Sequence, residues 1–300
     1  MGSFIRLPGF TVALALIVLA KVVQAEPRLD TGAIDIAMGI AGQPQGDIYK
    51  ISLPRTDLSI SIDDVKLKPR FALGSWIAFK ARGDAAVAHG DLVVTEDEVG
   101  PVLRRLVQDG INVTAVHNHL IRETPKVMYL HFWAEGDAEQ LAANLRRAVI
   151  LTKTPIEKPH RTENSEAKHE EELPTQRIQE VVGEKGTVKD GVLSITVSRH
   201  ETIMMHNVDL PPSMGMATAI NFQAGAAGNV AATGDFVLAA AEVSRVASAL
   251  TRHGIHVTAL HNHLVHSSPE LYFMHFWAHD APDRVAQGLR TALDAMKGTP

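Results

Sequence analysis

Three histidines recur with the same spacing at two places in the chain. They lie in the segments from Gly110 to Ala134, GINVTAVHNHLIRETPKVMYLHFWA, and from Gly254 to Ala278, GIHVTALHNHLVHSSPELYFMHFWA, which are displaced by 144 positions. The six residues are His117, His119, His131, His261, His263 and His275. Imidazole is the commonest metal ligand in proteins, so each copy predicts a site for a metal or a polar ligand. Because the chain has no cysteine, the ligands of such a metal would be imidazole, carboxylate and water.

Each segment has the pattern of a hairpin, with two short strands of β-branched and aromatic residues around a polar turn that contains proline. Side chains two positions apart on a strand share a face, so His117 and His119 should point the same way. If the hairpin turns about Pro125, His131 lies nearly opposite His119, and the second copy repeats this geometry about Pro269. We therefore expect three imidazoles per hairpin to hold a divalent ion, with zinc favoured, and to leave one position open for water or substrate.

Other interpretations of the same histidines remain open. Strand histidines are often buried and hydrogen-bonded, and a register slip of one residue would place His131 on the wrong face. All three histidines are nevertheless retained in both copies, while neighbours such as Arg122 and His266 differ, which favours a shared physical role. That role could be metal binding, a metal-free polar pocket or structure alone. If only one copy is active, we favour the second, because the upstream strand of the first has diverged.

Further pocket residues are weaker candidates. Asp91 and Asp235 each follow a glycine at the same place in the two copies and would supply a carboxylate, although a role in a turn is the commoner one. Asparagines between the paired histidines, and tryptophans two positions beyond the third histidine, could also line a pocket; such tryptophans more often fill a core. These residues are Asn118, Asn262, Trp133 and Trp277.

The duplication extends over nearly the whole chain and predicts its domains. We expect repeat units at residues 26–152 and 178–300, joined by a linker at 153–177 that is rich in charge and proline and poor in large apolar residues. Histidines 160 and 169 in this linker are interpreted as solvated bystanders. Residues 1–25 have a weakly basic start, a short apolar run and small residues at Val23 and Ala25, as in a secretory signal cleaved after Ala25.

Each unit alternates strands and helices in an order that predicts an α+β fold. A short helix and an extended segment come first, and then strand, strand, helix, hairpin and an amphipathic helix. We expect a mainly antiparallel sheet with helices on one face and a ferredoxin-like core in the second half of each unit. Glu98 is spaced for a capping box at the start of the central helix, and Pro101 should kink or restart that helix. The two units are expected to pack on each other about a pseudo-twofold axis.

Composition narrows the classes of partner. With 45% hydrophobic and 21% charged residues, the chain can build a globular core. A formal charge of −5 gives no basic excess, so no nucleic-acid partner is expected. The apolar run near the N-terminus is shorter than the roughly 20 residues of a spanning helix, and a retained N-terminal anchor is the alternative to cleavage. We therefore expect an exported protein, periplasmic or secreted, that is soluble and has no membrane span after processing.

The motifs also resemble a known family. The runs TGDFVLAAAEV, GIHVTALHNHL and LYFMHFWA, preceded by MGMATAINF, resemble the LppY/LpqO family of bacterial envelope proteins, and the first copy carries HGDLVVTEDEV, INVTAVHNHL and MYLHFWA. The resemblance covers most of the chain and implies an envelope location. The family is one of unknown function, so it supplies neither a reaction nor catalytic residues. This chain lacks the cysteine that carries lipid in the family's lipoproteins, which implies a soluble form.

Three functional hypotheses follow. The first is an exported protein that binds a divalent metal and is a hydrolase or lyase using metal-activated water. The second is a non-catalytic binder of a small molecule or envelope component, such as a glycan or a small anion. The third is a structural envelope protein, in which the histidines serve only the sheet.

Overall fold

The computed structural model describes residues 28–156 and 173–297. The predicted signal segment at 1–25, its cleavage site at Ala25 and linker residues 157–172, with both linker histidines, lie outside the described residues. The linker prediction ends too late, because a helix already begins at Thr175, directly after Pro174. In the described part of the chain, no helix is both long enough and apolar enough to cross a membrane.

The first unit contains four helices and nine strands. Its helices are Thr31–Met38 (α1), Pro69–Ala72 (α2), Glu96–Gln108 (α3) and Ala138–Val149 (α4). Its strands are Gln43–Gln45 (β1), Ile48–Pro54 (β2), Ser61–Ile62 (β3), Val65–Lys66 (β4), Gly74–Arg82 (β5), Ala85–Thr95 (β6), Asn112–His117 (β7), Glu123–Thr124 (β8) and Val127–Gly136 (β9).

The second unit repeats this order. Its helices are Thr175–Val182 (α5), Ala240–Arg252 (α6) and Pro282–Met296 (α7), and 3₁₀ turns lie at Pro212–Met214 and Ala226–Gly228. Its strands are Gly186–Lys189 (β10), Val192–Ser198 (β11), Met204–Met205 (β12), Val208–Asp209 (β13), Ala217–Ala224 (β14), Val230–Leu238 (β15), His256–His261 (β16), Ser267–Ser268 (β17) and Tyr272–Asp280 (β18).

Each unit is built on a six-stranded antiparallel sheet, which confirms the predicted α+β class. The strand orders are β1-β2-β5-β6-β9-β7 and β10-β11-β14-β15-β18-β16. The strands β5-β6-β9-β7, with α3 and α4, have the order of a ferredoxin-like sheet. In a ferredoxin-like fold, the strand on this side of β6 would follow the last helix. Here that position is occupied by β5, which precedes β6 in the chain. Two small sheets, β4-β3-β8 and β13-β12-β17, are additions that the sequence pattern did not predict.

One face of each large sheet packs against helices. On β6, Ala88, Leu92 and Val94 share a core with Val102 and Leu106 of α3. Residues of α1 and α4 join the same core, and the second unit repeats it with α5, α6 and α7. Strand alternation places the intervening residues of β6 on the other face.

The opposite faces of the two sheets are buried against each other. Ala78 and Val87 of the first unit share one apolar cluster with Val237 and Phe273 of the second. A second cluster joins Tyr129 to residues of the second unit such as Ala231 and Trp277. The apolar side chains of these two clusters are therefore enclosed between the units.

The helix ends explain some local features of the sequence. Glu98 accepts a hydrogen bond from the Thr95 backbone N–H at 2.9 Å and also pairs with the fully buried Arg55 at 2.8 Å. The predicted N-terminal role of Glu98 is confirmed. The helix does not restart at Pro101, because α3 continues through it. Pro101 lies in the second turn, so it removes only one intrahelical hydrogen bond, to the carbonyl of Asp97.

Glycine is required where the central strands approach closely. A Cβ atom on Gly234 would lie 1.8 Å from the Ala219 carbonyl oxygen, whereas one on Gly74 would meet nothing within 4 Å. We predict that Gly234→Ala lowers the free energy of unfolding by about 3 kcal/mol, because backbone atoms must move apart. Gly74→Ala, in β5 of the other sheet, should change it by less than about 0.5 kcal/mol. Guanidinium unfolding measures both, and equal effects would contradict the close approach.

Candidate metal centre

The hairpin register differs from the prediction. His117 pairs with Tyr129 and Ala115 with His131, so the strands are centred on residue 123 and not on Pro125. The register shifts between Val113 and Ala115, which the alternating pattern does not reveal. His119 lies beyond the end of β7 and is therefore not opposite His131.

The three histidines of each unit nevertheless lie on the face that meets the other unit. In the first unit the rings of His117 and His131 are nearly parallel, with centroids 5.0 Å apart, and His119 is also 5.0 Å from His117. In the second unit His261 lies 4.9 Å from His263 and 5.0 Å from His275.

The closest histidine contacts cross between the units. His117 and His261 have ring centroids 3.6 Å apart. The pairs His119–His275 and His131–His263 are each separated by 3.8 Å. When each residue is replaced by its equivalent in the other unit, the pair His117–His261 maps onto itself and the other two pairs exchange. A pseudo-twofold axis therefore passes between His117 and His261. The trios of the two units therefore lie side by side at one centre and are not distant from each other.

Two overlapping sets of four histidines have ligand atoms close enough for a shared ion. Within each set, one nitrogen per residue lies within 4.8 Å of the others. The sets are His117, His119, His131 and His263, and His117, His261, His263 and His275. Zinc–nitrogen bonds of 2.0–2.1 Å in a tetrahedron place the nitrogens about 3.4 Å apart, so a modest contraction would complete either site.

Backbone carbonyl groups fix the tautomer of three rings. The Nδ1 atoms of His117, His261 and His275 lie 3.3, 3.4 and 3.2 Å from the carbonyl oxygens of Asn118, Asn262 and Gly234. A carbonyl oxygen can only accept, so each Nδ1 carries the proton and each Nε2 keeps its lone pair. This is the arrangement by which metal-binding histidines are usually oriented.

The Nε2 atoms of all six histidines are buried and have no hydrogen-bond partner among the described residues. Burial also lowers the pKa of each ring, because the charged form loses its hydration. The pKa of His117 falls to about 3 through burial and the neighbouring His261. The rings are therefore neutral near pH 7, which is the form that binds metal.

A cavity of about 510 Å³ opens from this centre. His119, His131, His263 and His275 line it together with Asp91 and Asp235. Both carboxylates line the cavity from strands β6 and β15, so the commoner expectation of a turn role is wrong.

Asp91 is the carboxylate closest to the histidines of the first unit. Its oxygens lie 3.8 Å from the Nε2 atom of His131 and 3.9 Å from that of His119, and Oδ1 has no hydrogen-bond partner in the described structure. Burial, and then the nearby Asp235, raise the pKa of Asp91, and burial raises that of Asp235 to about 7.

The predicted asparagine and tryptophan candidates do not line this cavity. Asn118 donates to the backbone carbonyl groups of Leu120 and Thr258, and Asn262 to that of Leu271. These bonds shape the hairpins. Each tryptophan is buried in an apolar cluster between the units, as the core interpretation expected; they are Trp133 and Trp277.

Sequence reasoning missed His89, which lies two residues before Asp91 on the same face of β6. Its Nδ1 atom donates to the Phe132 carbonyl oxygen at 2.8 Å, and its ring stacks on His131 at 5.9 Å. At the equivalent position, Thr233 donates its hydroxyl to a backbone carbonyl at the same distance. Its spacing from Asp91 could have indicated this residue. Because the second unit has no histidine at the equivalent position, comparison of the two repeats did not reveal it.

Three more cavity residues of the first unit were missed. They are Lys50, Trp76 and Tyr129. Strand pairing and the 144-residue shift place Ser194, Ala219 and Phe273 at their equivalents. No repeat pattern could reveal them, since they are features of one unit alone.

Comparisons with known proteins identify a family and no activity. The family described as a Domain of Unknown Function (DUF1259) matches residues 32–150 and again residues 176–295, which confirms the internal repeat. No curated protein matches the chain significantly. Two crystal structures are weakly similar: a trimeric bacterial microcompartment shell protein, PduB, at 10% identity and a TM-score of 0.22, and EtuB from Clostridium kluyveri, at 11% and 0.20. Each comparison covers 85% of this chain and 89% of the other, and TM-scores this low carry no argument.

A hydrogen bond between the two units holds the backbone of His119. The Thr258 hydroxyl donates to the His119 carbonyl oxygen at 2.5 Å, and Asn118 donates back to the Thr258 carbonyl oxygen at 3.1 Å. The equivalent hydroxyl, that of Thr114, is buried without a partner in the described structure.

This difference gives a matched pair of substitutions. Thr258→Val should lower the free energy of unfolding by about 1 kcal/mol or more, because it leaves a buried carbonyl group without its donor. Thr114→Val should be neutral or stabilising, since it removes an unsatisfied hydroxyl. Urea unfolding measures both, and an equal loss in the two variants would contradict the asymmetry.

Proposed function

We propose a function for a chain that belongs to the family described as a Domain of Unknown Function (DUF1259): it binds a divalent transition-metal ion between its two repeat units. Zinc is the favoured ion, and the reaction class is hydrolysis or elimination with metal-activated water. The protein acts outside the cytoplasm if residues 1–25 are a signal, as their pattern predicts.

The observation that supports metal binding is the convergence of six buried Nε2 atoms that lack partners. Each such atom costs about 1–3 kcal/mol if nothing satisfies it. A purely structural role would leave all six in that state. Because three of the rings are already oriented by carbonyl groups on Nδ1, their lone pairs are fixed toward the centre.

The donor set favours zinc without restricting the site to it. Neutral imidazole suits zinc, copper, iron and nickel, whereas the absence of thiolates removes the sites typical of copper(I) and iron–sulfur clusters. Either set of four histidines could bind zinc tetrahedrally. Three of them would leave a position open, and the cavity meets the centre at four of the six rings.

Bound zinc would lower the pKa of a water molecule and polarise a substrate carbonyl or phosphoryl group. The chain's own contribution to such a reaction is to orient the imidazoles and to supply Asp91. Its Oδ1 atom has no partner among the described residues and lies 3.8 Å from His131. Asp91 can therefore hydrogen-bond a water molecule or a substrate group beside the ligands.

The shared centre makes a prediction that separate sites do not. His117 and His263 come from different units but belong to both sets of four. We expect the purified chain to hold divalent metal, and either His117→Ala or His263→Ala to weaken all of that binding by at least about a hundredfold, since each removes a ligand. Elemental analysis and competition with a coloured chelator measure the stoichiometry and the affinity.

The control is His256→Ala, which changes an exposed histidine of the second unit. This substitution should leave the metal stoichiometry and the metal affinity unchanged. If each single-unit substitution removed only half of the metal, the unit sites would be independent, and if the wild-type chain stayed metal-free in zinc-supplemented buffer, the proposal would be wrong.

The ion should also stabilise the folded chain. At a free concentration of 1,000 times the dissociation constant, an ion bound only by the folded state contributes about 4 kcal/mol. Chelation should then lower the melting temperature by roughly 10 °C for a domain of this size. Differential scanning calorimetry tests this, with His263→Ala as the control. That variant should melt at the lower temperature and be insensitive to the chelator.

A further inference from the structure

Lys50 is the cation of the first unit that lies deepest in the cavity. It belongs to β2, and its ammonium group lies 4.1 Å from the centre of the Trp76 ring. Its Nζ atom donates to the Ser213 carbonyl oxygen of the other unit at 2.8 Å. Both neighbours also line the cavity, so Lys50 is held at its wall from two sides.

The charge of Lys50 lacks a direct partner. An ammonium group has three donors, and Ser213 is its only hydrogen-bond acceptor among the described residues. No carboxylate of those residues lies within ion-pair distance, whereas Lys80, on the neighbouring strand, pairs with Asp47 at 2.7 Å. Burial lowers the pKa of Lys50 to about 8, and the more distant Asp91 only partly opposes this effect.

The other cation on the cavity wall is already paired. Arg70 contacts Asp190 at 3.2 Å on the exposed side. At the position equivalent to Lys50, the second unit has Ser194. Lys50 is therefore the cation of the cavity wall that has no ion-pair partner among the described residues.

The unmet donors of Lys50 indicate which ligand would complete this site. Two of its three donors have no acceptor among the described residues, and its charge has no ion-pair partner there. The ammonium group lies on the wall of a partly enclosed cavity. Buried charges are normally paired, so the missing group is a single negative charge.

We infer that the cavity between Lys50 and the histidine centre binds a small monocarboxylate, with its carboxylate on Lys50 and its body directed toward the centre. The inference rests on the proposed function, because the same cavity opens from the histidine centre. Phe71, Trp76 and Tyr129 supply aromatic surface for an apolar body. The volume of about 510 Å³ lies within the range of small-molecule sites.

The test compares benzoate with benzamide, which has nearly the same shape and no charge. Isothermal titration of the zinc-loaded chain should show benzoate binding at least about tenfold more tightly than benzamide. Lys50→Ser introduces the residue that the second unit carries at this position, and should weaken benzoate at least about tenfold while leaving benzamide unchanged. Lys50→Arg, which keeps the charge, should retain most of the preference.

Lys66→Ser is the matched control, since Lys66 is exposed on β4 of the same unit. It should bind benzoate as the wild type does. Equal binding of the two probes, no benzoate binding, or an unchanged affinity in Lys50→Ser would overturn the inference. Metal content measured on the same samples separates the two proposals. A zinc-loaded chain without benzoate preference contradicts only the carboxylate site, whereas a chain that takes up no zinc contradicts the proposed function itself.

Discussion

The structure depends on how polar atoms are satisfied between two apolar sheet faces. Each large sheet covers one face with its own helices, so its other face can be buried only against the second unit. The histidines lie in the middle of that second face. Water is largely excluded there, so the imidazole lone pairs that water would satisfy at a surface have no partner, and this favours binding of an ion.

Local pattern alone could predict much of each unit. Alternation in β6 and β9, helical spacing in α3 and α4, and the position of Glu98 follow from residues close together in the chain. The bulge near Val113 and the passage of α3 through Pro101 could not be predicted, because packing against the sheet decides both. The short strands β3, β4 and β8 are likewise held by contacts distant in sequence.

The centre itself was only half predictable. Alternation placed His117 and His131 on one face, but it cannot say what that face meets. The ring 3.6 Å from His117 is that of His261, 144 residues away, and such a contact leaves no periodic signal. His119 reaches the centre although it lies beyond the strand. A motif read within one unit therefore gives the candidate residue types, but it does not show which residues of the other unit lie beside them.

Covalent duplication also permits something that two identical subunits cannot achieve. In a symmetric dimer every substitution appears twice, so a lysine at one end of a shared cavity implies a second at the other. Here the halves have diverged while the histidines on the axis remained paired: Lys50 corresponds to Ser194, and Tyr129 corresponds to Phe273. The cavity thereby carries a lysine from one unit that the other unit lacks. A ligand that is bound in a single orientation needs that asymmetry, and the link between the two units makes it possible.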